Sequence, residues 1–483
     1  MLDNAFRPVI LMSVDKLAFP AGRRMRMETQ GGVLNRVFRL RERNTSVKTE
    51  VVAGVTTFVT MAYILAVNPM ILGDAGMDKG AVFTATCLAS LIATVCMAFL
   101  SNYPFALSAG MGLNAYFAYT VVLKMGYSWQ MALAAVFVEG VIFILLSLTR
   151  VREAVFNAIP MSLKHAVSAG IGLFIAFIGM QNCKLVVAGS TLVEMYSFAD
   201  NRADFSTVGI TVVLAVVGVL ITGILVVRKV KGNILWGILA TWALGILCQL
   251  TGLYDPSVLG SVLPDFSGGI AVPSVMPTLG QMDFSALLTS EFAVVVFALL
   301  FVDVFDTMGG LIGIASKADM LDEQGRLPRL RGALLADAIG TTAGAVLGTS
   351  TVTTFAESAA GVAEGGRTGL TALVTGGLFG AALFLSPLFL AVPSFATAPA
   401  LIVVGFMMAA SILKVDFNEL ADAIPAFLCF LAIPFLYSIS EGIALGVISY
   451  VVIHAAAGRE NRRRISTAMY VLAVLFVLKY ILI

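Results

Sequence analysis

The sequence predicts an all-α polytopic membrane protein. Of its 483 residues, 59% are hydrophobic and 12% are charged, whereas an ordinary soluble domain is about 45–50% apolar and about 25% charged. The apolar residues form well-separated stretches of the length that crosses a bilayer, and the basic residues collect in alternate loops. The formal net charge is only +2, so no basic excess points to a nucleic-acid partner.

Fourteen transmembrane segments are predicted. Twelve are apolar stretches of about 20 residues, and they start near Glu50, Ala81, Ser128, Pro160, Thr207, Gly232, Ser290, Gly332, Thr368, Ala396, Asn418 and Glu441. The third and tenth positions hold residues 104–119 and 351–365, which are rich in Gly, Ala, Ser and Thr and too short to cross as ordinary helices. We interpret them as broken segments. The run TSTVTT at the second one has β-branched residues that favour a short strand.

The basic residues support this count, because cytosolic loops collect Lys and Arg. With the N-terminus inside, 26 of the 31 Lys and Arg residues fall on the cytosolic side and four on the outer side, while Lys479 lies in the last apolar segment. Residues 1–49 form a basic cytosolic arm, and residues 252–289 form an outer loop without Lys or Arg. Residues 459–483 hold a basic stretch and an apolar segment, for which we favour a place in the membrane interface over a fifteenth span.

Residues 50–251 and 290–458 look like two repeats of seven segments. Segment 5 opens with Pro160 and then reaches Gly172. Segment 12 opens near Pro393 and reaches Gly405 at the same spacing, and the broken segment is the third in each half. Seven is odd, so the second repeat enters the membrane from the opposite side. Secondary transporters have such inverted repeats, with a site near the midplane between discontinuous helices. The alternative is that the small residues merely allow close helix packing.

Three carboxylates lie deep in predicted segments, where ionisable groups are costly and usually functional. Asp303 and Asp306 in FVDVFDTMGG share one helix face, and two such acids are not both comfortably ionised in a low dielectric. A protonation switch is therefore feasible there. Glu357 in TFAESAAG lies near the start of a half-helix, whose dipole would favour its charge. The alternative for each acid is a structural role, with the carboxyl satisfied by neighbouring hydroxyl or backbone groups.

The matching position of the first half holds Asn114 in SAGMGLNAYFAY. Its amide is both a donor and an acceptor, which suits the edge of a heterocyclic ring. The neighbouring Tyr116 and Phe117 could stack on such a ring, although packing is the commoner role. Glu139 and Asp337 fit structural pairing or a proton path equally well.

The remaining polar residues are assigned to the segment ends. Glu364 is expected in an interfacial ion pair beside Arg367, and His165 and His454 are interpreted as residues near helix ends. The chain has no HExxH, nucleophile-elbow, P-loop or dinucleotide-binding context. The five cysteines are scattered singly, as packing residues are. We therefore predict no enzyme, no metal site and no cofactor.

Four motifs occur in order between Glu50 and Gly458: EVVAGVTTFVTMAYILAVNP, AGMGLNAYFAY, FVDVFDTMGGLIGIASKADMLDE and TFAESAAGVAEGGRTGLTALVTG. They resemble the AzgA-type purine permeases, a branch of the nucleobase–cation symporter-2 group. The resemblance implies fourteen helices arranged into a core and a gate domain, an expected homodimer, and proton-coupled uptake of adenine, guanine or hypoxanthine across the cell membrane. It also places substrate binding at Asn114, Asp303, Asp306 and Glu357.

The acid-rich centre suggests that Asp303 or Glu357 carries the coupled proton, so the proton is the only expected coupling ion. A permease for uracil or xanthine is the nearest alternative. A channel-like facilitator or a sensor that does not transport is a more distant one. The sequence does not rank the purines.

Overall fold

A computed structural model describes residues 33–148, 159–189, 192–264, 272–317, 320 and 327–482. Residues 1–32 of the predicted basic arm and residues 265–271 of the predicted outer loop lie outside this set. Within it, helices dominate and the strands are short. In chain order, the α-helices are α1 Val33–Phe38, α2 Val47–Met61, α3 Ile64–Asp74, α4 Lys79–Leu100, α5 Met111–Ala115, α6 Trp129–Ser147, α7 Met161–Asn182, α8 Ile210–Val227, α9 Asn233–Leu250, α10 Ser290–Lys317, α11 Leu330–Leu347, α12 Ser358–Ala363, α13 Gly369–Ala382, α14 Ser386–Leu390, α15 Ser394–Ala409, α16 Leu420–Phe435, α17 Ile439–Ala456, α18 Arg459–Arg464 and α19 Thr467–Leu482.

Four strands occur in the described residues, as two antiparallel pairs. β1 Leu107–Ala109 pairs with β4 Val352–Thr354, and β2 Val186–Gly189 pairs with β3 Leu192–Met195. The short strand predicted at the second broken segment is thus present as β4, and it pairs with β1 in the first broken segment. A π-helical stretch, Tyr116–Lys124, continues from α5.

Several long helices begin where the sequence supplies a capping side chain. Ser46 accepts a hydrogen bond from the backbone N–H of Thr49, and Asp78 accepts one from that of Ala81. Ser128 caps α6 in the same manner. Each cap satisfies a backbone donor that the helix itself leaves unpaired, which fixes where the helix starts.

The chain is a multi-pass membrane protein. In the described residues, ten helical stretches are long and apolar enough to cross a bilayer: Val47–Asp74, Lys79–Leu100, Trp129–Ser147, Met161–Asn182, Arg202–Val227, Asn233–Leu250, Leu330–Leu347, Gly369–Leu390, Ser394–Lys414 and Ile439–Ala456. Helices α10 and α16 occupy the predicted segments that start at Ser290 and Asn418. The ten stretches, helices α10 and α16, and the two broken segments would together make fourteen transmembrane segments. That count stays a prediction.

The helices pack in two groups. One contains α2, α4, α6, α11 and α13, with α4 packed on both α11 and α13. The other contains α7, α8, α9, α15, α16 and α17, with α15 on α7 and α16 on α17. The pair β1–β4 belongs to the first group, because β1 packs on α4 and β4 on α10 and α11.

Two glycines bring α7 and α15 into direct backbone contact. A Cβ added to Gly172 would lie 2.5 Å from the carbonyl oxygen of Gly405, and a Cβ added to Gly405 would meet the carbonyl oxygen of Gly172 in turn. These are the two glycines that occupy matching positions in the predicted repeats. Only a residue without a Cβ permits this approach at either position.

The start of α13 is held by the buried carboxylate of Glu50. Its oxygens accept hydrogen bonds from the backbone N–H groups of Arg367, Thr368 and Thr371, at 2.9, 3.3 and 3.2 Å, and from the Thr371 hydroxyl at 2.6 Å. Asn102 Oδ1 accepts from the N–H of Gly369. Side chains from other parts of the chain thus satisfy the unpaired donors of this helix start.

Two predictions about helix ends need correction or extension. Glu364 pairs with Lys231 rather than Arg367, whose guanidinium instead donates to the carbonyl oxygens of Val362 and Gly366. Arg367 is near Glu364 in sequence, but its guanidinium bonds to these carbonyl oxygens at and just beyond the end of α12. His454 lies near a helix end, as predicted, yet its side chain is completely buried.

The apolar C-terminal segment forms α19, which packs against α17. The rings of Phe297 and Phe476 meet edge to face at 5.6 Å, which also ties α19 to α10. Whether this helix lies in the interface or crosses the bilayer stays a prediction.

Candidate functional site

The two broken segments meet in the strand pair β1–β4. Leu107 is opposite Thr354, and Ala109 is opposite Val352. The ladder is extended at both ends, because the N–H of Gly110 donates to Thr351 O at 3.0 Å and the N–H of Phe355 donates to Ala106 O at 3.0 Å. Extended backbone is tolerated inside a membrane protein only where its polar groups are paired. This pairing therefore allows both helices to be interrupted at the same place.

Threonine hydroxyls from neighbouring helices hold each strand. Thr94 of α4 donates to the carbonyl of Leu107 at 3.1 Å and accepts from its N–H at 3.0 Å. Thr341 of α11 makes the same two contacts with Val352, at 3.1 and 3.2 Å. The two clamps are equivalent, with one in each predicted repeat. They fix the strands against the helices that precede them.

Residues 349–351, just before β4, hydrogen-bond to three different segments. Asn68 Nδ2 of α3 donates to Thr349 Oγ1 at 2.9 Å. The Ser350 hydroxyl donates to Asn114 Oδ1 of α5, and the Thr351 hydroxyl donates to Glu139 Oε2 of α6 at 2.7 Å. All of these side chains are buried. The run in the second half thus collects three polar side chains of the first half.

Asn114 keeps one hydrogen-bonding group available. Its Oδ1 accepts from Ser350, but its Nδ2 has no hydrogen-bond partner among the residues that the structure describes. The Thr354 hydroxyl in β4 is likewise unpaired within that set. Buried polar groups are normally satisfied. A polar ligand at the strand pair would satisfy both.

Asp303 and Asp306 of α10 have different partners. Asp303 is fully buried, and its Oδ1 accepts from the Thr307 hydroxyl at 2.8 Å. Asp306 is half-buried and lies beside Thr353 of β4. The same Thr307 oxygen lies 2.8 Å from Asp337 Oδ1 of α11. Although the two aspartates lie about one turn apart, Asp306 faces the strand pair and Asp303 joins a group with α11.

Glu357 lies at the start of α12 and is half-buried. Its Oε1 accepts from the hydroxyl of Tyr63 at 2.8 Å. Tyr63 lies between α2 and α3, so the interruption in the first segment directs its phenol to the tenth. The preceding residue, Ala356, is exposed. Accessible surface therefore reaches the chain at this interruption.

The aromatic residues after Asn114 are packing residues. Tyr116 and Phe117 are each 1% exposed. The Tyr116 side chain lies near Ser440 of α17. Neither ring presents a free face to a ligand.

Comparison with known proteins identifies the family. The sequence model described as "Permease family" matches residues 48–476. The chain belongs to the xanthine/uracil permease family. Adenine permease AdeP of Escherichia coli (strain K12) is 42% identical over 459 residues, which cover 94% of this chain and 98% of AdeP. Guanine/hypoxanthine permease PbuO of Bacillus subtilis (strain 168) is 44% identical over 445 residues, which cover 91% of this chain and 98% of PbuO. The relatives are permeases, so the chain is a transporter and not an enzyme.

Solved structures with low sequence identity share the fold of the permease. The transmembrane domain of the cyanobacterial bicarbonate transporter BicA matches with a TM-score of 0.58 and 15% identity, over 83% of the permease and 97% of that domain. Murine Slc26a9, an anion transporter in the inward-facing state, matches with a TM-score of 0.62 and 13% identity, over 93% of the permease and 77% of the Slc26a9 chain. At such identities the likeness concerns the fold alone.

The permease brings three of the four predicted substrate residues to one strand pair. Asn114 follows β1, Glu357 follows β4, and Asp306 lies beside Thr353 of β4. Asp303 stands one turn before Asp306 on α10 and bonds to Thr307 instead. Their role in binding stays a prediction.

Sequence reasoning missed Tyr63, Thr307 and Asn68. Thr307 could have been found as the residue four positions after Asp303, on the same helix face. Tyr63 and Asn68 occur in the first quoted motif, but neither is charged at neutral pH, so the cost of charge in the membrane did not single them out.

Proposed function

We propose that the permease imports purine nucleobases, namely adenine, guanine or hypoxanthine, together with protons. The observation that carries this proposal is the convergence of Asn114, Asp306 and Glu357 on the strand pair β1–β4. The names of the relatives AdeP and PbuO support the purine class. The acid-rich centre supports the proton as the coupling ion, with Asp303 or Glu357 as its carrier.

The chemistry of this region suits a neutral heterocycle. A purine edge alternates ring N–H donors and nitrogen or oxygen acceptors. The Asn114 Nδ2 group offers a donor, and the carboxylates of Asp306 and Glu357 offer acceptors. A ring that lacks one of the matching groups would leave a buried partner unpaired, which is how such sites discriminate. An anion site would instead favour an arginine or helix N-termini without neighbouring acids.

The proposed architecture has fourteen segments in two inverted repeats. The equivalent clamps by Thr94 and Thr341 support it, as does the reciprocal contact of Gly172 with Gly405. The helix group that holds the strand pair would be the core, which moves as an elevator against the gate formed by the other group. We place the permease in the cell membrane with both ends in the cytosol, and we expect a homodimer.

The free energy that proton coupling supplies can be calculated. One charge that crosses a membrane potential of about 100 mV gains about 2.3 kcal/mol. At about 1.4 kcal/mol per decade, this gain corresponds to roughly fifty-fold accumulation of a neutral purine. A facilitator without coupling would stop at equal concentrations.

Reconstituted protein tests the proposal. Proteoliposomes with an inward proton gradient should accumulate labelled hypoxanthine and show counterflow, and adenine and guanine should compete. Equal uptake with and without the gradient would contradict the coupling. Stronger competition by uracil or xanthine would favour the alternative substrate class, and uptake that neither saturates nor shows counterflow would favour a channel.

Site variants test the residues. Asp303→Asn and Glu357→Gln should each abolish uptake while the protein remains in the membrane. Glu364→Gln is the matched control, because this acid pairs with Lys231 and has no contact with the strand pair in the described residues. Normal uptake by either site variant would remove that residue from the site.

A further inference from the structure

One threonine hydroxyl joins two buried carboxyl groups. Thr307 Oγ1 lies 2.8 Å from Asp303 Oδ1 and 2.8 Å from Asp337 Oδ1. All three side chains are 0% exposed. The contact links α10, which carries the candidate site, with α11, which clamps β4. A group from outside the candidate site is thereby connected to one of its acids.

The Thr307 hydroxyl, which forms the bridge between Asp303 and Asp337, has only one hydrogen. Thr307 can therefore donate a full hydrogen bond to one of the two carboxyls, while its oxygen can accept a second bond. That second bond requires the other carboxyl to be protonated, because an ionised carboxylate only accepts. Two ionised carboxylates this close would also repel each other strongly in a buried site. The geometry thus fits one added proton shared by two acids.

We infer that Asp337 is the proton-relay partner of Asp303 and that Thr307 conducts the proton between them. This inference rests on the proposed function. In the transfer, the Asp337 carboxyl gives its proton to Thr307 Oγ1, while the hydroxyl hydrogen of Thr307 moves to Asp303 Oδ1. Asp337 becomes the carboxylate and Asp303 the acid, so the charge of the group does not change. Chains of Asp, Glu and His side chains serve as proton relays in pumps and transporters.

Acidic side chains lie near the bridge on neighbouring elements. Helix α11 packs on α4, α6, β1 and β4. From α6 the acid is Glu139, which accepts from Thr351, and on α10 it is Asp306, beside β4. Helix α4 carries one charged residue, Lys79, which is exposed at its first position. Helix α7 packs on α10 and carries the buried Lys164, which lies near Phe301. The acids on α6 and α10 favour the protonated form of one member of the pair.

The relay gives Asp337 a role that differs from binding. The purine exchanges without net proton movement in counterflow, whereas accumulation requires the proton to enter and leave. A relay residue is needed for accumulation far more than for counterflow. A residue that only supports the fold would lower both together.

The experiment compares these two readouts in proteoliposomes for three substitutions. Thr307→Val keeps the shape and both acids but removes the hydroxyl, Thr307→Ser restores it, and Asp337→Asn removes the acid. We expect Thr307→Val and Asp337→Asn to retain counterflow of labelled hypoxanthine while accumulation under a proton gradient falls from roughly fifty-fold to about equal concentrations. Thr307→Ser should accumulate purine as the wild type does.

The matched control is Thr342→Val. Thr342 lies on α11 as well, but its hydroxyl donates to the helix carbonyl of Ala338, so both readouts should match the wild type. Wild-type accumulation by Thr307→Val would overturn the relay, and so would parallel loss of counterflow and accumulation. Thr307→Val decides the question even where Asp337→Asn does not reach the membrane. A wild-type protein that exchanges purine without accumulating it would instead overturn the proposed coupling itself.

Discussion

Replacing Glu50 by alanine should strongly destabilise the permease, although this residue lies outside the candidate site. Its carboxylate accepts three backbone N–H groups and one hydroxyl at the start of α13, all from residues more than 300 positions away in the chain. The side chain is 0% exposed. Alanine would leave these donors without their acceptor in a place where water does not replace it.

The size of the effect follows from the contacts. The Thr371 hydroxyl already lies 3.3 Å from Glu50 O and can turn to it, so it keeps a partner. The Thr371 N–H keeps its second hydrogen bond, to Thr368 O at 3.2 Å. The N–H groups of Arg367 and Thr368 remain unpaired, and each costs about 1–3 kcal/mol. The lower end gives a loss of about 2 kcal/mol, which is roughly a thirtyfold change in the folded fraction. At about 2 °C per kcal/mol, the melting temperature should fall by about 4 °C.

A thiol-reactive fluorescent dye measures this melting in detergent, because Cys87, Cys183 and Cys429 are free and buried and react only after unfolding. Glu42→Ala is the matched control. Glu42 is exposed and pairs with Arg39 at 3.6 Å on the surface, so its loss should change little. A Glu50→Ala protein that melts within about 1 °C of the wild type would refute the reasoning.

Three further predictions concern packing, the site and the surface. Gly172→Val should abolish uptake, because its Cβ would meet backbone at 2.5 Å, whereas Gly223→Val, with open space around it, should keep uptake; similar uptake by both would contradict the packing argument. Tyr63→Phe removes the 2.8 Å hydrogen bond to Glu357 and should lower kcat/KM about tenfold, as expected for a bond to a charged group; unchanged initial rates over a range of purine concentrations would show that this bond does not matter. Lys231→Gln breaks a partly exposed ion pair and should change the free energy of unfolding by less than about 1 kcal/mol, so a large drop in melting temperature would be unexpected.

Much of the fold could be predicted because a bilayer imposes simple rules. Apolar length located the long helices, and the small-residue stretches with β-branched neighbours indicated where two of them are interrupted. The matching of Gly172 with Gly405 could be noticed as a spacing, but their mutual contact could not. It depends on how two distant helices cross, which no local pattern encodes.

The charged residues of the candidate site and Asn114 could be predicted from the sequence, whereas its other neutral residues could not. Asp303, Asp306 and Glu357 stood out because charge in a membrane is costly. Tyr63 and Thr307 carry no such cost, so their roles appear only when the helices are assembled. Glu50 was expected merely at a segment boundary, since its buried partners lie far away in sequence. The Lys231–Glu364 pair was missed for the same reason.

The strand pair also constrains how the permease is made. Asn114 and Ser350, which bond beside it, are 236 positions apart, so β1 is synthesised long before β4. At about 5–20 residues per second, this delay lasts roughly ten to fifty seconds. During that time Thr94 can already hold Leu107, but the other polar backbone groups of β1 have no strand partner and would be costly in lipid. The polar backbone of β1 must therefore be kept out of contact with lipid, or be hydrated, until β4 is made. An N-terminal half expressed alone should be a substrate for membrane quality control.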